Sequence, residues 1–121
     1  MNPSDISSDR SHFQLFRGPQ YGGFDEASRQ SFIESAWTVS PRSDRTGYRL
    51  KGVRLKVPSM ISSEAVLAGS FQIPGNGQPI VTMRDGPTVG GYAKLAILQG
   101  CDLDRFAQCA PGTQVTFSWI N

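Results

Sequence analysis

A mainly β fold, a closed or nearly closed antiparallel barrel of short strands with one or two short helices, is predicted by three observations. Apolar residues recur with period two in short runs, as at residues 53–57 and 115–119. Thirteen glycines and eight prolines beside 38% hydrophobic content suit strands and turns better than a helical bundle, whose repeat either residue interrupts. The 121 residues fit one domain, large enough to bury roughly two thirds of its unfolded surface around a single core without metal or disulfide staples.

Residues 1–12 carry four serines and, beyond Met1, a single aliphatic side chain, so little offsets the entropy of ordering them and they read as a disordered tail before a single domain at 13–121. A first strand fits 13–16 and ends at the Gly18-Pro19 break. Asp25 is a natural N-cap for a short helix, with Glu26 in its first turn, Phe24 as a hydrophobic staple, Phe32 and Ile33 facing inward and a stop near Ser35. Residues 37–39 and 53–57 read as strands, the second ended by Pro58, and 80–83 and 93–98 as central strands flanking a glycine turn at 88–91. A second helix starts with Asp102 as N-cap, buries Leu103, Phe106 and Ala107, and stops at Pro111-Gly112. Val115, Phe117 and Trp119 then alternate with polar residues in a closing strand, with Phe117 and Trp119 expected in the core. Strand order does not follow from periodicity.

No apolar run approaches the ~20 residues of a membrane span, and the N-terminal residues lack the basic and apolar regions of a signal peptide, so a soluble cytoplasmic chain without membrane partners is the expectation. Cys101 and Cys109 bracket the second helix, about 12 Å apart at a helical rise, which is too far for a disulfide, and both read as reduced thiols. One histidine, without CxxC or HxH spacing, gives no metal signal. His12 lies in the serine-rich stretch and reads as a tail residue rather than a general base, leaving a serine or cysteine nucleophile without a partner. The net charge is only +2, yet Arg42, Arg45, Arg49, Lys51, Arg54 and Lys56 supply six of the twelve Lys and Arg, with Asp44 the one acid among them. The small total and the lack of interleaved aromatics argue against nucleic acid.

Three segments set polar or charged side chains beside glycine: Ser43 to Leu50 (SDRTGYRL), Gly69 to Ile80 (GSFQIPGNGQPI) and Thr88 to Ala96 (TVGGYAKLA). Glycine lets a backbone turn sharply or approach a ligand closely, so each segment reads either as an ordinary turn or as part of a rim of binding loops. Arg45, Tyr48 and Arg49 offer donors to an anion or carbonyl, and a guanidinium grips a carboxylate in bidentate fashion. Gln72 and Gln78 can donate to and accept from an amide, and Thr88, Gly90, Gly91, Tyr92 and Lys94 add a hydroxyl, backbone N–H groups, a phenol and an ammonium. The inventory suits a small polar molecule with amide and carboxylate character. Glu64 and Asp44 are the carboxylates close by, but each could equally serve a turn, and no catalytic acid or base is assigned.

These segments, with Gly18-Pro19, Asp102-Leu103 and Pro111-Gly112, resemble the C-terminal half of the 5-oxoprolinase subunit family also called allophanate hydrolase subunit 2, itself similar to part of the carboxyltransferase domain of biotin-dependent urea carboxylase. The likeness runs from about Phe13 to Phe117. Thr46, Val89 and Ala93 stand where the family usually has Met, Thr and Pro. The resemblance implies a cyclophilin-like barrel, and a half-subunit or fragment of a 5-oxoprolinase or urea carboxylase-type enzyme that is inactive alone. It also implies a homodimer or a complex with a related subunit, and ATP or biotin chemistry on partner subunits, with no cofactor bound by this chain. No GxxxxGK[ST] loop is present for ATP. The alternative is a stand-alone module that binds without turnover. Prolyl isomerase activity would rest on the fold alone, which does not license it.

Overall fold

The computed structural model describes residues 11–59 and 61–120. Seven strands, β1 (His12–Arg17), β2 (Trp37–Val39), β3 (Gly47–Lys51), β5 (Ser70–Ile73), β6 (Ile80–Thr82), β8 (Ala93–Leu98) and β9 (Gln114–Trp119), close a barrel in the order β1–β8–β5–β6–β3–β2–β9. A separate two-stranded sheet pairs β4 (Glu64–Ala65) with β7 (Val89–Gly90). Six of the seven barrel pairings are antiparallel. The closing one is parallel, with His12 opposite Thr116 and Leu15 opposite Trp119. Closure leaves no unpaired barrel edge to recruit other chains.

Alternation sorts the strand residues: Phe13, Leu15, Trp37, Val39, Leu50, Phe71, Val81, Leu95, Val115 and Phe117 are buried in one cluster. Helix α1 (Glu26–Glu34) begins where Asp25 accepts the Ser28 backbone N–H at 2.7 Å, and ends at Ser35. It delivers Phe32 to the rings of Phe117 (5.3 Å between centroids), Phe71 (5.7 Å), Trp119 (5.8 Å) and Trp37 (6.0 Å), while the Trp37 indole N–H donates to the Phe32 carbonyl. Helix α2 (Leu103–Ala107) sends in Phe106, edge-on to Phe13.

Several expectations give way. Residues 1–10 of the expected tail lie outside the described residues, but His12 belongs to β1, where its ring nitrogens bond the Thr116 and Ser118 hydroxyls at 2.7 and 2.9 Å. Residues 53–57 form no strand: Leu55 N–H donates to Gly77 O and Lys56 N–H to Ser28 Oγ, so a loop and a helix side chain take the place of a ladder partner. Gly77 must be glycine here, since its φ is +74° and a Cβ would fall 2.4 Å from Leu55 O. Conversely, part of the first glycine segment is β3 and part of the second is β5, whose four residues are all buried. Asp102 makes no side-chain cap. It ends a 3₁₀ turn, Gly100–Asp102, and meets Arg105 at 3.5 Å, while Ala107 is exposed. Trp119 is half-buried, stacked edge-on against Tyr21 as well as packed on Phe32. Among the described residues no helix is long and apolar enough to cross a membrane.

Because Phe32 joins four aromatic rings, Phe32→Ala is expected to cost about 3–5 kcal/mol of unfolding free energy. Asp25→Ala, which removes only a cap, should cost much less. Urea denaturation of the two variants side by side measures the difference, and equal losses would mean that Phe32 is not central to the core.

Candidate functional site

Alternation that points Leu50, Phe71, Val81 and Leu95 inward points their neighbours outward. Register then aligns them: Arg49 opposes Ile80, Ile80 opposes Gln72, and Gln72 opposes Lys94. Four strands therefore carry one transverse row, Arg49, Ile80, Gln72 and Lys94, on the outer barrel wall. A register shift between Phe71 and Gln72 brings the last two opposite each other. Thr82, opposite Gly47, lies in the adjoining row, and its hydroxyl accepts from Gln72 Nε2 at 3.0 Å.

The β4–β7 sheet lies over this row, which is why Gln72 and Lys94 are only 6% and 2% exposed although they face outward. Lys94 Nζ meets Glu64 Oε1 of β4 at 2.7 Å, and the same oxygen accepts from Gln20 Nε2 at 3.1 Å. Gln20 in turn accepts the Lys94 backbone N–H, tying roof, wall and the loop after β1 together. Gly90 sits directly above Gln72: a Cβ there would come 2.7 Å from Gln72 Oε1.

Between wall and roof opens a cleft of about 480 Å³, within the range of small-molecule sites. Gly47 and Arg49 of β3, Ile80 and Thr82 of β6 and Gln72 of β5 line one side, and Val89, Gly90, Gly91 and Tyr92 the other. Arg42, Asp44 and Thr46 stand at its end. Asp44 is engaged in its turn through one oxygen. Its Oδ1 accepts from the Thr46 hydroxyl at 2.6 Å and from the backbone N–H groups of Thr46 and Gly47, and these bonds, the hydroxyl first, hold its carboxyl below the usual carboxylate range, with a smaller contribution from Arg49. Glu64 is held low likewise, chiefly by the hydrogen bond from Lys94 and then by Gln20. Both carboxylates are therefore ionised and weakly basic.

Of the residues singled out in the sequence, Arg49, Gln72, Gly90, Gly91 and Tyr92 share this cleft. Lys94 lies beneath the roof as a counter-ion rather than on the cleft surface. Arg45 and Tyr48 line a different, more apolar hollow beside α2, where Arg45 meets Asp85 at 3.5 Å and the Tyr48 hydroxyl donates to Ala107 O. Gln78 clamps a turn, accepting from Gly52 N–H and donating to Gly52 O and Val53 O. Thr88 is exposed and its carbonyl accepts from Val66 N–H. Arg42, Ile80, Thr82 and Gln20 were not singled out. Thr82 could have been found from its position two residues after Ile80 on one strand face.

Glu64 contributes stability as a carboxylate whose native pKa is depressed, so its contribution is complete above the ordinary glutamate range and is lost as pH falls through the lower native value. Thermal melting across that acid range should show a steep limb in the native protein and a flatter one in Glu64→Gln, which also melts lower at neutral pH. Identical profiles would exclude the ion pair as the fastening of the roof.

Residues 2–119 match the family model described as "Carboxyltransferase domain, subdomain A and B". The chain is 42% identical over 102 residues to a 5-oxoprolinase subunit of Escherichia coli, covering 83% of this chain and 33% of that protein. It is 38% identical over 104 residues to the 5-oxoprolinase subunit of the same designation in Haemophilus influenzae, with 84% and 34% covered. It thus spans about a third of the length of these curated relatives. The crystal structure of Kluyveromyces lactis urea carboxylase superposes on the fold with a TM-score of 0.85 at 24% identity, covering 91% of this chain and 11% of that one. With a family match over nearly its whole length and a relative above 40% identity, the chain belongs to the carboxyltransferase domain, subdomain A and B, family.

Proposed function

We propose that this domain supplies the small-molecule site of a 5-oxoprolinase or urea carboxylase-type assembly, acting in the cytoplasm in complex with a related subunit. ATP or biotin chemistry then resides on partner subunits and this chain binds neither. The ligand is a small polar molecule with amide or carboxylate character, such as 5-oxoproline or a urea derivative. One observation carries the reading: the aligned row Arg49, Ile80 and Gln72 forms the wall of a roofed cleft and presents a guanidinium and a buried carboxamide to the same volume. Gln72 spends one donor on Thr82, and its carbonyl oxygen has no donor of its own among the described hydrogen bonds. An amide N–H of a ligand complements that oxygen, and Gly90 and Gly91 line the cleft beside it.

A second reading, binding without turnover, is favoured by the carboxylates. Hydrogen bonds to one oxygen of Asp44 in its turn and to one of Glu64 from Lys94 lower the basicity of both, so neither is a good proton acceptor for a ligand in the cleft. A partner subunit would then bring the acid and base.

Calorimetry with 5-oxoproline and with urea tests the site. Arg49→Ala and Gln72→Leu should each weaken binding about tenfold or more, and Gly90→Ala should do the same by displacing Gln72. Lys56→Ala, an exposed cation away from the cleft, should change little. Equal affinities across these variants, or no binding to the native protein, would exclude the cleft as the site.

A further inference from the structure

Beside the cleft, on the outer side of Arg42 and Arg49, lies a smaller hollow of about 130 Å³ that shares both arginines with it. Lys51 also lines it, and no lining residue is a carboxylate. Arg49 and Lys51 reach it because they sit two apart on β3 and so share its outer face. Arg42 is brought alongside by three hydrogen bonds that tie its turn to β3 and one within the turn. Ser40 N–H donates to Arg49 O at 2.8 Å, Arg49 N–H donates to Ser43 Oγ at 2.9 Å, the Ser43 hydroxyl donates to Arg49 O at 3.3 Å, and Arg42 N–H donates to Ser40 Oγ at 3.1 Å. Three cations are thus brought together by backbone geometry. Among the described residues none of the three is within ion-pairing distance of a carboxylate, whereas Arg45, Arg84 and Lys94 each have one. Asp44 lines the neighbouring cleft, where its Oδ1 is engaged by Thr46 and Gly47 and Arg49 adds only a small electrostatic contribution. Asn76 turns its oxygen to the Gln78 N–H, which leaves its amide N–H groups to donate.

Like charges set side by side repel unless an anion lies between them, and two guanidiniums with an ammonium exceed what one carboxylate needs. We propose that this hollow is a subsite for a dianionic oxyanion group, a phosphate or a pair of carboxylates, whose carrier extends past Arg42 and Arg49 into the cleft. Arg42 and Lys51 are then binding residues for the anion. The inference rests on the charge arrangement alone and holds whichever amide occupies the cleft.

Calorimetry at constant ionic strength with inorganic phosphate in its dianionic form, malonate and acetate provides the test. Phosphate, malonate or both should bind at least about tenfold more tightly than acetate, and which of the two does so identifies a phosphate or a dicarboxylate carrier. Arg42→Ala and Lys51→Ala should each abolish that margin. Lys56→Ala removes the same charge elsewhere and should preserve it. All three cations are exposed and their turn is held by serine and backbone groups, so the variants should fold, which circular dichroism verifies. Equal affinity for the three anions, absence of binding, or a margin that survives Arg42→Ala would overturn the proposal. Loss of 5-oxoproline or urea binding in Gln72→Leu bears on the cleft and leaves this outcome independent.

Discussion

An ammonium group with almost no access to water must find its counter-charge inside the protein, and for Lys94 that partner is Glu64, on a strand outside the barrel. The cleft depends on this pair. Without it the β4–β7 sheet would meet the barrel wall through few contacts, such as the approach of Gly90 to the Gln72 carboxamide. With it, a two-stranded sheet too small to stand alone becomes a roof over Gln72. Gln20 serves the same end by bonding both the Glu64 carboxylate and the Lys94 backbone.

Barrel closure supplies the other half of the site. A closed sheet packs its inward side chains around Phe32, Phe71, Phe106 and Phe117, and thereby fixes which side chains face out. Polar groups on three strands, with Ile80 of a fourth among them, then fall into one row because the ladders set their register, with one shift between Phe71 and Gln72. That shift matters chemically, since it sets the buried carboxamide against the buried ammonium rather than against an apolar neighbour.

The charges of the run from Arg42 to Lys56 have separate fates. Arg45 pairs with Asp85 on the side facing α2, Arg54 and Lys56 line a depression near Pro58, and Arg42, Arg49 and Lys51 gather around the smaller hollow beside the cleft, none of whose lining residues is a carboxylate. Strand geometry explains the split. Within β3, Tyr48 and Leu50 face the core while Arg49 and Lys51 face out, and Arg45 lies in the turn before the strand begins.

Local chemistry in the sequence determined much of this. Asp25 caps α1 because a carboxylate at that position meets free backbone N–H groups, Trp37 and Phe117 declare themselves through period-two alternation, and the 93–98 strand through its apolar run, none of which needs distant residues. The candidate residues Arg49, Gln72, Gly90, Gly91 and Tyr92 were legible as polar groups beside glycine. What distant residues decide was not legible. Residues 53–57 alternate as a strand should, yet their backbone is taken by Gly77 and Ser28, and Ser70–Ile73 reads as a polar glycine loop until neighbours on both sides make it a central strand. Lys94 and Gln78 carry the same donors in any context. Only the fold turns the one into a buried counter-ion and the other into a turn clamp, because pairing partners 30 and 26 residues away are brought into contact by closure and not by sequence proximity.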